Sequence, residues 1–143
     1  MRKNMALFLT FVVVLSACIA YGSDMQTVIR NSDAKLKANG FLLDEEIEEI
    51  WQAETTPDVI KNLTDSQQKA IDAELKQAQD IAAKTSLDFG KNISDPLEQS
   101  MYQEGVRKNK VLKATREIAE KYSIKAGDVF VISNNLFLQT LNK

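Results

Sequence analysis

A dense acidic run is the first feature whose residue types could do chemistry; it comprises Asp44, Glu45, Glu46, Glu48 and Glu49. Clustered carboxylates can hold a hard cation, but calcium loops alternate their ligands with turn residues and carry a central Gly. This run has neither feature, and Ile47, Ile50 and Trp51 share one face at helical spacing. The run therefore predicts the solvated start of an amphipathic helix, where negative charge complements the helix dipole, and it predicts no metal site.

No catalytic set can be assembled from the side chains of this chain. Its 143 residues include no His and one Cys, which excludes a His general base, a His-ligated metal and the Ser-His-Asp or Cys-His nucleophiles. A single Cys also excludes an internal disulfide framework and a Cys-rich zinc site. We therefore predict a protein that is not an enzyme and that uses no metal and no cofactor.

A basic stretch is the first candidate binding surface; it comprises Arg107, Lys108, Lys110, Lys113 and Arg116. On a membrane-tethered protein such a face could contact a partner protein or anionic lipid headgroups, each cation contributing about 1 kcal/mol near the surface. The alternative is a solvated helix surface whose Lys stems cover apolar neighbours. No aromatic residues interleave with these cations, so the pattern does not indicate a nucleic-acid groove.

Four aromatic residues are candidate walls of an apolar pocket: Trp51, Phe89, Phe130 and Phe137. The apolar stripe of the predicted helix 64–84 is narrow and half alanine, which would let another helix approach closely while burying little area. These features are the basis of an alternative hypothesis, a carrier of a small apolar ligand. The alternative is that the four aromatic residues belong to the core.

The chain begins with the pattern of an export signal. Arg2 and Lys3 precede an apolar run from Met5 to Leu15 in which only Thr10 is polar. Eleven residues are too few to span a bilayer, which takes roughly 20. A basic start, a short apolar core and small residues after it are typical of a secretory signal peptide.

The cleavage point has two candidates. Leu15-Ser16-Ala17-Cys18 resembles the lipobox of bacterial lipoproteins, and the resemblance implies that Cys18 is lipidated and becomes the first residue of a membrane-anchored protein. The alternative is a signal-peptidase site after Ala20-Tyr21-Gly22, which would release a soluble secreted protein. Either cleavage removes Arg2 and Lys3 and no acids, so 16 basic residues face 20 acidic ones and the net charge of −2 becomes −4. This mild acidity does not indicate a nucleic-acid partner.

Helix formers dominate the rest of the chain, and Gly and Pro number only five and two, too few for an all-β fold with many tight turns. We predict an all-α bundle of four to five helices. The signal peptide covers 1–17 (or 1–22), a tether and a first weak helix lie within 18–40, and the helical domain covers 41–143. The first helix, over 23–39, ends at Gly40, and the second covers 44–53.

Three sequence signals mark the later helix starts. Thr56-Pro57 predicts a short helix that ends near Lys61, with Pro at its first position. Thr64 and Gln67 form a capping box that opens the helix 64–84. Asp95-Pro96 opens a long helix that ends near Tyr122, and Gly105 within it marks a close crossing or a kink.

Residues 128–141 admit two readings. Val129 to Ile132 and Leu136 to Leu138 are rich in strand formers, and the Ser133-Asn134-Asn135 segment between them could turn a β-hairpin. The helical alternative places Val129, Ile132 and Leu136 on one face. We favour the helix, because the preceding elements are helical and an isolated hairpin is weak.

Two resemblances fall on the same C-terminal stretch. Residues 118–124, followed by Val129 and Ile132, resemble a helix-turn-helix, but the prospective recognition helix offers no Arg or Lys to read DNA. Ile118-Ala119, Tyr122 and Asn134-Asn135-Leu136 resemble the second half of a LysM module, which implies peptidoglycan binding. The opening strand and Gly-Asp-Thr turn of a complete module are missing from this sequence.

These observations predict an exported, mainly helical single domain, tethered to the outer side of a bacterial membrane through Cys18. The leading functional hypothesis is a non-enzymatic interaction or structural module of the cell envelope that binds another envelope protein. The main alternative is a carrier of a small apolar ligand or lipid, and a minor one is peptidoglycan binding through the LysM-like half. No nucleic-acid partner is expected.

Overall fold

The computed structural model describes residues 25–141, and every regular element in that part of the chain is helical. In chain order the elements are α1 (Met25–Ala38), α2 (Asp44–Ala53), a 3-10 helix (Val59–Asn62), α3 (Asp65–Ser86), α4 (Pro96–Tyr122) and α5 (Ala126–Leu141). The predicted all-α fold is confirmed for these residues.

The capping signals act as predicted at the two longest helices. Before α3, the Thr64 hydroxyl accepts a 3.2 Å hydrogen bond from the backbone N–H of Gln67, while the side-chain Oε1 of Gln67 accepts one of 2.9 Å from the backbone N–H of Thr64. Before α4, the Asp95 carboxylate accepts hydrogen bonds from the N–H groups of Leu97 and Glu98 at 2.8 and 3.0 Å. These bonds satisfy backbone donors that the helix itself leaves unpaired.

The β-hairpin alternative for the C-terminal stretch is wrong. Both strand-like segments and the Ser133-Asn134-Asn135 segment between them lie within α5, and no strand occurs among residues 25–141. The helical register turns Val129 and Ile132 inward, and both side chains are fully buried. The favoured helical alternative is confirmed because its apolar face packs on α3 and α4, whereas a hairpin would find no sheet to join.

The segment after Thr56-Pro57 differs from its prediction. Its short helix is a 3-10 helix that begins only at Val59, so Pro57 is not its first residue. Asp58 intervenes with a left-handed backbone (φ +57°). The N–H of Thr56 donates to the Asp128 carboxylate at 2.6 Å, so a tertiary contact rather than a local cap sets this start.

The main core lies where α3, α4 and α5 meet. α3 and α4 are joined by residues 87–95 and run antiparallel: Gln103 near the start of α4 donates to the Leu87 carbonyl just after α3, and Tyr122 at the end of α4 donates to Glu74 in the middle of α3. The buried members of this cluster are Val59, Ile71, Leu75, Ala82, Val111, Ile118, Ala119, Val129 and Ile132.

The first helix, α1, packs on the N-terminal half of α4. Leu36 joins a second core with Tyr102 and Val106, and Val28 contacts Leu97. An ideal Cβ built on Gly105 would lie 2.5 Å from Leu36 Cδ1, so the Leu36 side chain occupies the space that a larger residue at this position would need. The prediction that Gly105 marks a close crossing is confirmed.

Candidate functional site

The predicted basic face carries partners for its charges. Arg107 donates two hydrogen bonds to Glu104, from Nε at 2.7 Å and from Nη2 at 2.5 Å. This hydrogen bonding is the largest cause of the raised pKa of the Arg107 guanidinium. Lys108 Nζ lies 2.6 Å from Asp44 Oδ2. A member of the acidic run at the start of α2 is therefore a partner of the basic stretch on α4.

The remaining members of the basic stretch have weaker contacts. Arg116 Nη2 lies 3.3 Å from Glu54 Oε1, and Lys113 Nζ lies 3.9 Å from Glu117 Oε1. Lys110 Nζ lies 5.0 Å from the centroid of the Phe89 ring, within cation–π range. Three of the five cations thus lie within 3.3 Å of a carboxylate, whereas Lys110 lies beside an aromatic ring. Lys113 is the most exposed of the salt-bridged cations, with 81% of its side chain exposed.

The four aromatic residues do not form one pocket. The Trp51 and Phe130 rings pack edge to face with centroids 4.7 Å apart, while Phe89 packs on Phe41 with centroids 6.0 Å apart in a different core cluster. Phe137 is 52% exposed on the last turns of α5. Phe130 and Phe137 do line one groove of about 450 Å³ between α3 and α5.

Trp51 has a structural role at the junction of α2, α4 and α5. Its indole N–H donates to the Thr115 hydroxyl at 3.2 Å, and that hydroxyl donates to the Leu112 carbonyl at 2.8 Å. Thr115 is completely buried, so this chain of bonds satisfies polar groups that would otherwise be costly inside the core. Trp51 is partly buried and packs against the main core.

A groove of about 650 Å³ lies between α1, α3 and α4. This volume lies in the range of small-molecule sites. Its apolar lining comes from Leu36, Ala83, Leu87, Leu97 and Met101. None of the four predicted aromatic residues lines it.

Small side chains create the space for this groove. Ser32, Ser86, Ser100 and Gly105 line it together with Ala83. The sequence interpretation noticed the alanine-rich stripe of the third helix but looked for walls among large aromatic residues. The signal that could have found the groove is the coincidence of small residues on α1, α3 and α4.

Carboxylates stand along the polar side of the groove, which Asp33, Asp44, Glu104 and Arg107 line. Burial raises the pKa of Asp33, and the nearby charge of Asp44 raises it further, while Lys37 opposes both effects. Because Lys108 pairs with Asp44 and Arg107 pairs with Glu104, Asp33 is the lining carboxylate that no ion pair within residues 25–141 neutralises.

The second half of α5 exposes apolar side chains. Val131, Phe137, Leu138 and Leu141 are between 42% and 52% exposed. Val131, Leu138 and Leu141 follow helical spacing, so they share one side of α5. Asn134-Asn135-Leu136, the ending that resembles a LysM module, lies inside this helix.

Cys18 and both candidate cleavage points, on which the predicted anchor depends, lie outside the described residues. Within residues 25–141, no group of three or more His, Cys, Asp or Glu side chains is arranged to hold a metal ion. No helix in that same range has both the length and the apolar character needed to cross a membrane.

Comparison with known proteins identifies no relative of this chain. No protein-family model matches the chain, and neither a curated protein nor a solved structure is detectably similar to it.

Proposed function

We propose that this chain is an exported, lipid-tethered helical module that binds another protein of the bacterial cell envelope without catalysing a reaction. The observation that carries the proposal is the exposed apolar side of α5, formed by Val131, Leu138 and Leu141. Exposed apolar residues that cluster on one surface are typical of interaction sites. The export pattern at the start of the chain supports the proposed location, and the lipobox-like Leu15-Ser16-Ala17-Cys18 supports the proposed lipid anchor.

The α5 side replaces the basic stretch as the contact surface in this proposal. Three of the five basic side chains, Arg107, Lys108 and Arg116, already pair with carboxylates of the fold, and exposed ion pairs contribute little binding energy. Burying apolar area contributes roughly 25 cal/mol per Å², so the α5 side offers more energy for association.

Site-specific photo-crosslinking in cells tests the contact surface. A crosslinker at Leu138 should trap one defined partner, whereas a crosslinker at Ile81 should not; Ile81 is a matched control because it is 53% exposed on α3. Leu138→Lys should abolish the crosslink from a probe at Leu141, and the partner should bind the purified protein directly. Equal crosslinking from both sites, or a crosslink that Leu138→Lys leaves unchanged, overturns the proposal.

The mass of the mature N-terminus tests the anchor. The proposal expects an acylated chain that begins at Cys18, with multiple acyl chains that each contribute about 0.8 kcal/mol per buried CH₂. An unmodified chain that begins at Ser23 would refute lipidation and favour simple secretion.

The second candidate function is a carrier of a small apolar or amphiphilic ligand, and the groove of about 650 Å³ favours it. The proposed site is this groove rather than a pocket of Trp51, Phe89, Phe130 and Phe137. Protein purified under native conditions should then bring a near-stoichiometric amphiphile with it, and Ala83→Trp should remove it. A native mass without any bound molecule would count against the carrier. Peptidoglycan binding through the LysM-like half gains no support from the helical setting of Asn134 and Asn135.

A further inference from the structure

We propose that the groove between α1, α3 and α4 binds an amphiphile with one aliphatic chain and a protonated amine or quaternary ammonium head group. The aliphatic chain lies along Leu97 and Met101, and the head group lies beside Asp33. This inference rests on the carrier function proposed above and names the chemistry of its ligand.

The apolar part of the site follows from the lining of the groove. Leu36, Leu97 and Met101 provide an aliphatic surface on α1 and α4, and Leu87 stands 59% exposed at the end of α3. An aliphatic chain in the groove would cover this exposed leucine and part of the surface beside it. Binding would be favoured because it removes this apolar area from water.

The head-group part of the site follows from the charges at its polar side. The Asp33 carboxylate lines the groove and has no ion pair with any residue in the described range. Lys37 one turn further along α1 acts on it only at longer range. A cationic head group would therefore supply the partner that the fold does not.

A carboxylate or phosphate head group suits this site poorly. The lining cation, Arg107, is held by two hydrogen bonds from its guanidinium to Glu104, at 2.5 and 2.7 Å. An anionic head group beside Arg107 would stand near the carboxylates of Asp33, Asp44 and Glu104, which line the same side of the groove and would repel it. Burial and then the charge of Asp44 raise the pKa of Asp33, and the second of these causes would likewise oppose an additional negative charge.

Calorimetric titration of the purified mature protein tests the proposal with three probes below their micelle-forming concentrations. The probes are dodecylammonium, dodecanoate and the uncharged decyl maltoside. We expect dodecylammonium to bind at one site and at least about tenfold more tightly than dodecanoate, as the loss of one charge-assisted hydrogen bond would predict.

Two pairs of matched variants locate the site. Ala83→Trp fills the groove and should abolish binding, while Ala73→Trp places the same side chain at an exposed position of α3 outside the groove. Asp33→Asn should weaken dodecylammonium binding at least about tenfold, while Asp80→Asn makes the same charge change on the exposed surface of α3 and should not. Thermal unfolding of all four variants verifies that each is folded.

The outcomes separate the ligand chemistry from the carrier function. Equal binding of all three probes, still blocked by Ala83→Trp, overturns the head-group assignment and leaves the carrier function standing. Binding that Ala83→Trp and Ala73→Trp affect equally overturns the groove as the site. Absence of binding by every probe overturns both the inference and the carrier function.

Discussion

The N–H of Gly127 donates a 2.8 Å hydrogen bond to the carbonyl oxygen of Glu54, which joins the first turn of α5 to the end of α2. The positive end of one helix dipole thus meets the negative end of another, an arrangement that stabilises both termini. An ideal Cβ at position 127 would lie 2.6 Å from the same oxygen and 2.8 Å from Thr55 Cγ2. The contact therefore requires a glycine, because the obstructing oxygen belongs to the backbone and cannot move aside cheaply.

Gly127→Ala should lower the free energy of unfolding by at least about 2 kcal/mol, the scale of overpacking in a tight core. Urea unfolding followed by Trp51 fluorescence measures the loss, and the junction of α2 and α5 should be the first part to lose protection in hydrogen exchange. Gly40→Ala is the control: it has open space around it but φ +76°, so its cost should stay near 1 kcal/mol. Equal costs for the two variants would show that the junction tolerates the methyl group.

Asp128 also stabilises the junction of α2 and α5, where its side chain is buried. Its fully buried carboxylate accepts hydrogen bonds from the N–H of Thr56 at 2.6 Å and from the N–H of Lys125 at 2.9 Å. Asp128→Ala leaves both donors unpaired and should cost about 3 kcal/mol, since it combines a lost helix cap with a lost long-range bond. Asp128→Asn keeps one acceptor oxygen and should cost about half as much in denaturant unfolding. A cost for Asp128→Ala no larger than that for an exposed Asp80→Ala would contradict this role.

Glu74 makes part of the stability depend on pH. Its Oε1 accepts hydrogen bonds from Lys121 at 2.7 Å and from the Tyr122 hydroxyl at 2.6 Å. These bonds, that from Lys121 first, hold the pKa of Glu74 below its ordinary value of 4.5. A carboxyl group with a lowered pKa in the fold contributes stability above its unfolded pKa, and this contribution is lost as the pH falls through the folded value.

Glu74→Gln should therefore lower the free energy of unfolding at neutral pH by about 0.5 kcal/mol, because the side chain is 31% exposed and its ion pair is partly screened by solvent. The difference between the two proteins should shrink as the pH falls below 4.5. Urea unfolding across the acid range measures it. Glu117→Gln is the control, since its carboxylate is 66% exposed and 3.9 Å from Lys113. A difference that grows on acidification would reverse the assigned sign.

Local signals were sufficient to predict most helix starts. Thr64 with Gln67, and Asp95 with Leu97 and Glu98, act through hydrogen bonds that span two or three residues, so the sequence alone specifies them. The choice between helix and hairpin for α5 was harder, because Val129 and Ile132 fit either period. Packing on α3 and α4 decides it, and that packing is a property of the whole bundle.

The candidate sites were less accessible to sequence reasoning because they depend on long-range contacts. Nothing in the local sequence pairs Lys108 with Asp44, 64 positions away along the chain. Likewise, Asn109 binds both backbone groups of Leu42 at 2.9 Å, and no capping or periodicity rule predicts it. The basic stretch therefore looked like a free face, and the groove between α1, α3 and α4 had no signal of its own beyond its small residues.

The ion pair between Lys108 and Asp44 provides a direct test of whether the basic stretch serves the fold or a partner. The two side chains are 24% and 53% exposed, so their coupling energy should be modest, between about 0.3 and 1 kcal/mol. A double-mutant cycle with Lys108→Ala and Asp44→Ala, measured by urea unfolding, isolates this energy from the separate loss of Asp44 at the start of α2. Lys113→Ala, which removes a cation from the same stretch without disturbing a close pair, should change stability by less than about 0.5 kcal/mol. If the pair serves the fold, the Lys108 variants should leave the crosslink from Leu141 intact while they lower stability. A coupling energy of zero together with a lost crosslink would instead return the basic stretch to the role of a partner surface.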